Sequence, residues 1–484
     1  MNATPHFIGG RWVAGTGPRW TAINPSNGET HWESAAAAEA EVDAAVAAAR
    51  ATFPEWSRRT QAARESVVRA FAMLVEEEKT ELAAIIARET GKPLWDAASE
   101  AVAMVNKVPI AIEAHARRCA EFTGGPAITR FRPHGVVAVL GPFNFPGHLP
   151  NGHIVPALVA GNTVVFKPSE LTPLTAQRMA ELWQQADAPP GVMNLVQGGR
   201  ETGAAVAKHA GIDGLFFTGS ARTGHALSIL FAKTPGRILA LEMGGNNPLV
   251  VHRAADHATS ALLAIQSAYL GAGQRCTCAR RLIVPVGAEG DAFVAALVAA
   301  IPRVRVGVPD AQPEPFMGPV IRPSSADALI VAQDNLVSRG AVAIVPMRRL
   351  APETGFVTPG LIDVTAVADR EDEELFGPLL QLIRVPDFDS AIREANDTRF
   401  GLAAGLISDE RVLYEKFFSS VRAGIVNWNQ QLTGASSAAS FGGLGASGNN
   451  RPAAFLSADY CSHAVASIEL PAPKLAPQPG IDPQ

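Results

Sequence analysis

Gly135-Val136-Val137-Ala138-Val139-Leu140-Gly141-Pro142 is the stretch on which the fold turns. A short run of β-branched and small apolar residues stops at Gly-Pro, a pair that ends strands. Asn162-Thr163-Val164-Val165-Phe166-Lys167-Pro168 repeats the pattern. Further runs follow: Val192 to Val196 stops at Gln197-Gly198-Gly199, Gly214-Leu215-Phe216-Phe217 at Thr218-Gly219-Ser220, and Arg237 to Leu241 at Glu242. Helical stretches separate most of them, such as Pro173 to Asp187 and Ala221 to Lys233. Buried strands alternating with helices predict an α/β fold with a parallel sheet. Polar residues and glycines gather where the runs end, and open α/β sheets bind ligands at those strand ends.

Outward from this centre the texture changes. No Lys, Arg, Asp or Glu occurs from Pro133 to Phe166. Its prolines, glycines, asparagines and histidines separate it from a membrane span, and it reads as buried strand, loop, helix and strand. Upstream, Glu39 to Arg118 is Ala-rich with charges at helical spacing, and the apolar residues of Val67 to Leu74 recur at three and four. That pattern predicts a helical wrapper packed on the sheet. Downstream, Leu249-Val250-Val251, Arg281 to Val286, Ala341 to Pro346 and Leu379 to Val385 predict a second α/β domain over 243–435. The tail from Pro471 is Pro-rich and reads as extended.

Composition excludes several classes. The 484 residues suggest two or three domains. The net charge of −5, from 41 basic and 46 acidic residues, gives no basic face for nucleic acid. Cys119, Cys276, Cys278 and Cys461 are too scattered for a disulfide framework and read as reduced thiols of a cytoplasmic protein. Cys276 and Cys278 lack the further Cys or His ligands that zinc needs, so no metal is expected. Met1 to Gly17 has Pro5, Gly9 and Gly10 where a signal peptide needs an apolar run.

The chemistry concentrates in a few motifs. Cys276, in Gly273-Gln274-Arg275-Cys276, follows 34 residues after Glu242, in Leu241-Glu242-Met243-Gly244-Gly245. A thiol nucleophile and a carboxylate base, each beside glycines, form the constellation that oxidising an aldehyde through a thioester requires. Gly219-Ser220-Ala221-Arg222-Thr223-Gly224 follows a strand and opens a helix, a context that suits phosphate. It is neither a P-loop nor the usual dinucleotide fingerprint, and an ordinary strand–helix turn is the alternative. Gly443-Leu444-Gly445-Ala446-Ser447-Gly448 does match that fingerprint but follows a Ser/Ala loop, so it is set aside. Lys167 and Glu170, in Phe166-Lys167-Pro168-Ser169-Glu170, suit ribose hydroxyls, or form a solvated charge pair. Asn144, in Pro142-Phe143-Asn144-Phe145-Pro146, suits an oxyanion donor, or a turn. Glu374 and Phe376, in Glu374-Leu375-Phe376-Gly377-Pro378, end an acidic run.

Together these motifs resemble the aldehyde dehydrogenase superfamily, in its order and over nearly the whole chain. The resemblance implies a Rossmann-type NAD-binding domain from 1–117 and 138–242, an α/β catalytic domain at 243–435, a small β oligomerisation flap from 118–137 and 455–472, and an extended tail at 473–484. It implies that Cys276 is the nucleophile, Glu242 the general base and Asn144, with the Cys276 N–H, the oxyanion hole. Lys167 and Glu170 would hold the adenosine ribose of NAD. Gly219, Ser220, Ala221, Arg222, Thr223 and Gly224 would carry the pyrophosphate, and Glu374 and Phe376 the nicotinamide ribose and ring. Cys278 departs from the pattern as a second thiol, and Cys276 is chosen because it follows Gly-Gln-Arg. The wording of LEMGGNNPLVV, GQRCTCARRL and PFNFPGHLPNGHIVPALVAGN points to a branch that oxidises an acidic semialdehyde in bacterial arginine breakdown. Its substrate would be an aldehyde with anionic distal groups, received by the loop Leu432 to Ser440, with Asn151, His153, Arg275 and Arg451 as secondary candidates. The alternatives are a dehydrogenase for succinate or glutamate semialdehyde, and a catalytically silent relative. The expected assembly is a homodimer or dimer of dimers.

Overall fold

The computed structural model describes residues 4–474 and 478–480. Two seven-stranded sheets form its centre. The first runs in the order Ile238–Met243, Gly214–Gly219, Val136–Leu140, Thr163–Lys167, Met193–Leu195, His6–Ile8 and Arg11–Val13. The first five strands are parallel and the last two form an antiparallel hairpin at the edge. Val136–Leu140 is buried at every position, with Leu140 paired to Lys167 on one side and Phe217 on the other. Burial on both faces removes the polar alternation of a half-exposed strand, which is why these segments read as unbroken apolar runs. The helices Pro173–Gln185 and Ala221–Phe231 each stop two residues short of the expected ends.

The second sheet runs in the order Val342–Val345, Gly360–Asp363, Leu379–Val385, Ala279–Pro285, Asn247–Val251, Ala403–Ile407 and Ile425–Trp428. Only its first pair is antiparallel. Gly360–Asp363, Ala403–Ile407 and Ile425–Trp428 were not expected, because Gly405 and Asn427 interrupt two of them with turn residues, and Gly360 and Asp363 leave only two apolar residues in the third.

The wrapper consists of the helices Glu39–Arg58, Gln61–Glu77, Lys79–Thr90 and Leu94–Arg118. Thr60 caps the second by accepting the Ala63 N–H at 3.2 Å, and Gly91, at φ +75°, ends the third. Their apolar faces cover the first sheet, and Phe71 stacks flat on Trp183 with ring centroids 3.8 Å apart. The first three helices each bury one charged side chain, Glu41, Arg64 and Glu89, and the fourth buries three. It buries Asp96, Glu100 and Lys107 on the same face as Ala97, Ala101, Met104 and Val108.

A three-stranded antiparallel sheet joins Phe122–Gly124, Ala127–Pro133 and Ser462–Ile468. Phe122, Ile468 and Leu470 are exposed there. Most of the tail expected at 473–484, namely 475–477 and 481–484, lies outside the described residues. Among the described residues no helix is long and apolar enough to cross a membrane.

Candidate active site

A cavity of about 1450 Å³ runs along the C-terminal ends of the first sheet and reaches Cys276. Of the thirteen residues given catalytic or cofactor roles from the sequence, twelve line it, and Gly224 does not. Gly224 lies beneath the cavity wall instead, where a Cβ would stand 2.1 Å from Met243 Sδ. Its bare backbone lets the helix Ala221–Phe231 settle on the strand Ile238–Met243.

The loop before Cys276 turns through three successive left-handed residues, Gly271, Ala272 and Gly273, at φ +63°, +55° and +68°. For Ala272 that conformation costs roughly 1–2 kcal/mol. Gly273 has no substitute, since a Cβ would stand 2.3 Å from the Gly377 carbonyl. Arg280, fully buried, donates to the Gly273 carbonyl at 2.5 Å and the Arg275 carbonyl at 3.0 Å, and meets Glu374 at 3.3 Å. Asn247 Nδ2 donates to the carbonyls of Cys276 and Cys278 at 2.7 and 2.8 Å. Neither Arg280 nor Asn247 was expected. Both lie in quoted motifs, GQRCTCARRL and LEMGGNNPLVV, but nothing in the residue types distinguishes a loop brace from a solvated side chain.

Cys276 is partly exposed on the cavity wall, whereas Cys278 is fully buried with its thiol on the Leu270 carbonyl. Burial, then Glu374 and Glu242, push the Cys276 thiol up to about 12. Such a thiol is protonated at neutral pH and needs a base to attack. Glu242 ends the strand Ile238–Met243 and is 4 % exposed. Burial pushes its carboxyl up to about 8, against the Ala453 N–H, which donates to it at 3.3 Å, and the nearby Lys107. Lys107 itself is pushed down to about 8 by burial, with Glu242 opposing.

Asn144 Nδ2 donates to the Gln274 carbonyl at 2.9 Å, tying the Pro-Phe-Asn-Phe-Pro turn to the cysteine loop. Behind it, Glu100 accepts the Gly147 and His148 N–H groups at 2.9 and 3.1 Å and pairs with Lys92 at 2.7 Å. The carboxylate therefore caps the helix His148–Ala160 at its positive end. Arg275 pairs with the buried Asp96 at 2.6 Å and donates to the Thr433 carbonyl at 3.2 Å. Charges of the helix Leu94–Arg118, which the sequence showed only as helical spacing, thus point inward at the site. Asn151 is fully buried, and both ring nitrogens of His153 are bonded, to Tyr460 and Thr218.

On the opposite side, Lys167 Nζ stands 3.6 Å from Glu170, whose backbone carbonyl accepts the Trp20 indole N–H at 3.2 Å. Ser220 caps the helix Ala221–Phe231 by accepting the Thr223 N–H at 3.3 Å, and no acidic residue occupies that helix's first turn. Glu374 packs against Gly244, where a Cβ would stand 1.8 Å from its Oε2. Phe376 meets Phe143 edge-on at 5.8 Å. The segment set aside as a phosphate loop also reaches this cavity, through Gly445, Ala446 and Gly448. Its work is to brace: Ser447 Oγ donates to the Gly244 carbonyl at 2.7 Å and accepts the Gly401 N–H at 3.0 Å.

A thiol, a carboxylate and an amide at one end of a long cavity, with a helix N-terminus and a ribose-sized charged pair at the other, suit a cofactor-dependent dehydrogenase. The family model described as "Aldehyde dehydrogenase family" matches residues 12–463, and the chain belongs to this family. Among its relatives, the N-succinylglutamate 5-semialdehyde dehydrogenase of Chromobacterium violaceum is 56% identical over 481 residues, 98% of this chain and 99% of that one. The enzyme of the same name from Pseudomonas fluorescens is 55% identical over 469 residues, 96% of each chain. An aldehyde dehydrogenase mutant from Pseudomonas syringae, solved with NAD+ and octanal, superposes with a TM-score of 0.91 at 32% identity, covering 98% of both chains. The methylmalonate-semialdehyde dehydrogenase of Oceanimonas doudoroffii superposes with a TM-score of 0.91 at 27% identity, covering 98% of this chain and 99% of its own.

Proposed function

We propose that this chain oxidises N-succinylglutamate 5-semialdehyde to N-succinylglutamate with NAD, in arginine breakdown by the succinyltransferase route. The observation that carries the proposal is the 55–56% identity, over nearly the full length, to two enzymes of that name. Cys276 is the nucleophile in this reading, supported by its place on the cavity wall and by the burial of Cys278. As Cys276 Sγ attacks the aldehyde carbon, its proton passes to Glu242 and on to solvent, and Asn144 and the Cys276 N–H stabilise the tetrahedral oxyanion. Loss of hydride leaves a thioester on Cys276. Glu242 then takes a proton from water, the water oxygen bonds to the acyl carbon, and the carbon–sulfur bond breaks to release the acid and the thiolate. A carboxyl raised to about 8 is a stronger base than an ordinary one, which suits water as the proton source.

The residues of the cavity fit NAD. When bound, NAD accepts the hydride. Lys167 and Glu170 would hold its adenosine ribose, and the acidic Glu170 disfavours a 2′-phosphate. Gly219, Ser220, Ala221, Arg222 and Thr223, with Gly224 beneath, would take the pyrophosphate at a helix N-terminus free of acidic side chains. Glu374 and Phe376 would flank the nicotinamide ribose and ring. The far end of the substrate is anionic and lies toward the loop Leu432 to Ser440, whose backbone meets Arg275 at Thr433. Copies of the chain associate through the three-stranded sheet bearing Phe122, Ile468 and Leu470, as a homodimer or dimer of dimers in the cytoplasm.

The test is an NADH-release screen of the purified chain with the semialdehydes of N-succinylglutamate, succinate and glutamate and with neutral aliphatic aldehydes. The succinylated dianion should give the highest kcat/KM, and NAD should be preferred over NADP. Equal efficiency with neutral aldehydes would leave only the family's reaction standing.

A further inference from the structure

Behind the Glu242 strand, four side chains form a chain of hydrogen bonds that the proposed chemistry does not use. Ser457 Oγ donates to the Gly152 carbonyl at 3.2 Å, and Tyr460 Oη donates to Ser457 Oγ at 3.1 Å. His153 Nδ1 lies 2.8 Å from Tyr460 Oη, and its Nε2 lies 3.0 Å from Thr218 Oγ1. Counting protons orders this chain. A hydroxyl has one proton to give. Ser457 gives its proton to Gly152, so Tyr460 must give its own to Ser457. Tyr460 Oη can then only accept from His153, so Nδ1 carries the ring proton. Burial pushes His153 down to about 3, which keeps the ring neutral and Nε2 bare. Thr218 therefore donates to Nε2, and its oxygen is left with lone pairs and no proton for anything else.

Thr218 stands directly beside Glu242 in the sheet, paired in register, with both side chains on one face. Both line the cavity that also contains Cys276 and Asn144. A water molecule that attacks a carbonyl must keep a lone pair aimed at the carbon, and its two protons need acceptors elsewhere. A freely rotating hydroxyl beside Glu242 would offer the water a donor as readily as an acceptor, and a donor would draw the attacking lone pair away. The buried chain removes that option.

We propose that Thr218 is a water-positioning residue for thioester hydrolysis, locked as an acceptor by His153, Tyr460 and Ser457. This rests on Glu242 being the base. One proton of the water passes to the Glu242 carboxylate while the other stays hydrogen-bonded to Thr218 Oγ1. The carbon–oxygen bond forms, the carbon–sulfur bond breaks, and the electrons of that bond leave on Cys276 as thiolate. Thr218 is unchanged at the end.

The experiment compares first-turnover NADH release with steady turnover in the full-length chain, using N-succinylglutamate 5-semialdehyde and, as a second probe, propanal. Thr218→Val should keep the first turnover within about twofold and lower steady turnover roughly tenfold, the usual effect of one lost hydrogen bond. Tyr460→Phe frees the far end of the chain and should lower steady turnover roughly threefold with the first turnover intact. Thr218→Ser keeps the hydroxyl and should recover hydrolysis. Hydroxylamine, a nucleophile that needs no positioned water, should restore turnover in Thr218→Val, which general structural damage would not allow. Unchanged turnover in Thr218→Val, a parallel loss of first turnover, or no response to hydroxylamine overturns the proposal. Glu242→Gln, run alongside, separates the two readings. If it alone is slowed, only the Thr218 role fails; if it is unaffected, the base assignment fails and the joint arrangement with it.

Discussion

The strand ends of the first sheet and the helix Leu94–Arg118 close the same site from two sides by different physical means. On the sheet side, position is a matter of backbone. Apolar strands buried on both faces deliver Lys167, Thr218 and Glu242 to one edge, and glycines allow loops to touch without intervening side chains. On the helix side, position is a matter of charge. Asp96 holds Arg275 of the cysteine loop, Glu100 holds the helix that follows Asn144, and Lys107 stands in the field of Glu242. The difference teaches that the two sides fail differently, one to added volume and the other to a removed charge.

The largest effect should come from the group both sides serve. Cys276→Ala should abolish aldehyde oxidation, a fall of roughly four orders of magnitude or more, while NAD still binds by fluorescence titration. Cys278→Ala should keep substantial activity; the reverse pattern would exchange the two thiols. Next, Asn144→Ala should lower turnover by roughly two to three orders of magnitude, the range for a lost oxyanion donor. A loss under tenfold would reduce Asn144 to a brace between the Pro-Phe-Asn-Phe-Pro turn and Gln274.

Two changes probe the charged side alone. Asp96→Ala leaves Arg275, whose side chain is only 12% exposed, without its partner, and the chain should lose about 3 kcal/mol of stability, read as a lower denaturant midpoint. A midpoint within error of the wild type would show that the ion pair contributes nothing net. The smallest effect is a pH shift. Glu242 must lose its proton to act, so hydrolysis should rise with pH through about 8. Lys107 lowers the Glu242 pKa, so Lys107→Met should move that limb to higher pH and cut turnover at pH 7 roughly threefold. An unmoved limb would separate Lys107 from the base.

The sheet side was legible in the sequence because its signals are local. A buried strand is a run of apolar residues, and its end is marked by Gly, Pro or a polar residue, so Val136–Leu140 and Gly214–Gly219 could be placed by reading alone. The helix side was not. Asp96, Glu100 and Lys107 follow one another at spacings of four and seven, in line with Ala97, Ala101, Met104 and Val108. That alignment was the available signal, but in an Ala-rich helix small residues mark the inner face faintly, and charges default to the outer one. The bracing by Arg280, Asn247 and Ser447 was hidden for a different reason. Each joins segments distant in the chain, and no residue-level rule reports such a meeting before the fold exists.

The contact of Gly273 with the Gly377 carbonyl also has a genetic consequence. Third-base changes in a glycine codon are synonymous, and every other single base change encodes an amino acid with a Cβ or a stop. At Gly273 any such carbon would stand 2.3 Å from a backbone carbonyl that cannot retreat as a side chain could. Alanine is therefore not a mild allele there, and a mutational scan should find this codon silent or null, with nothing graded between.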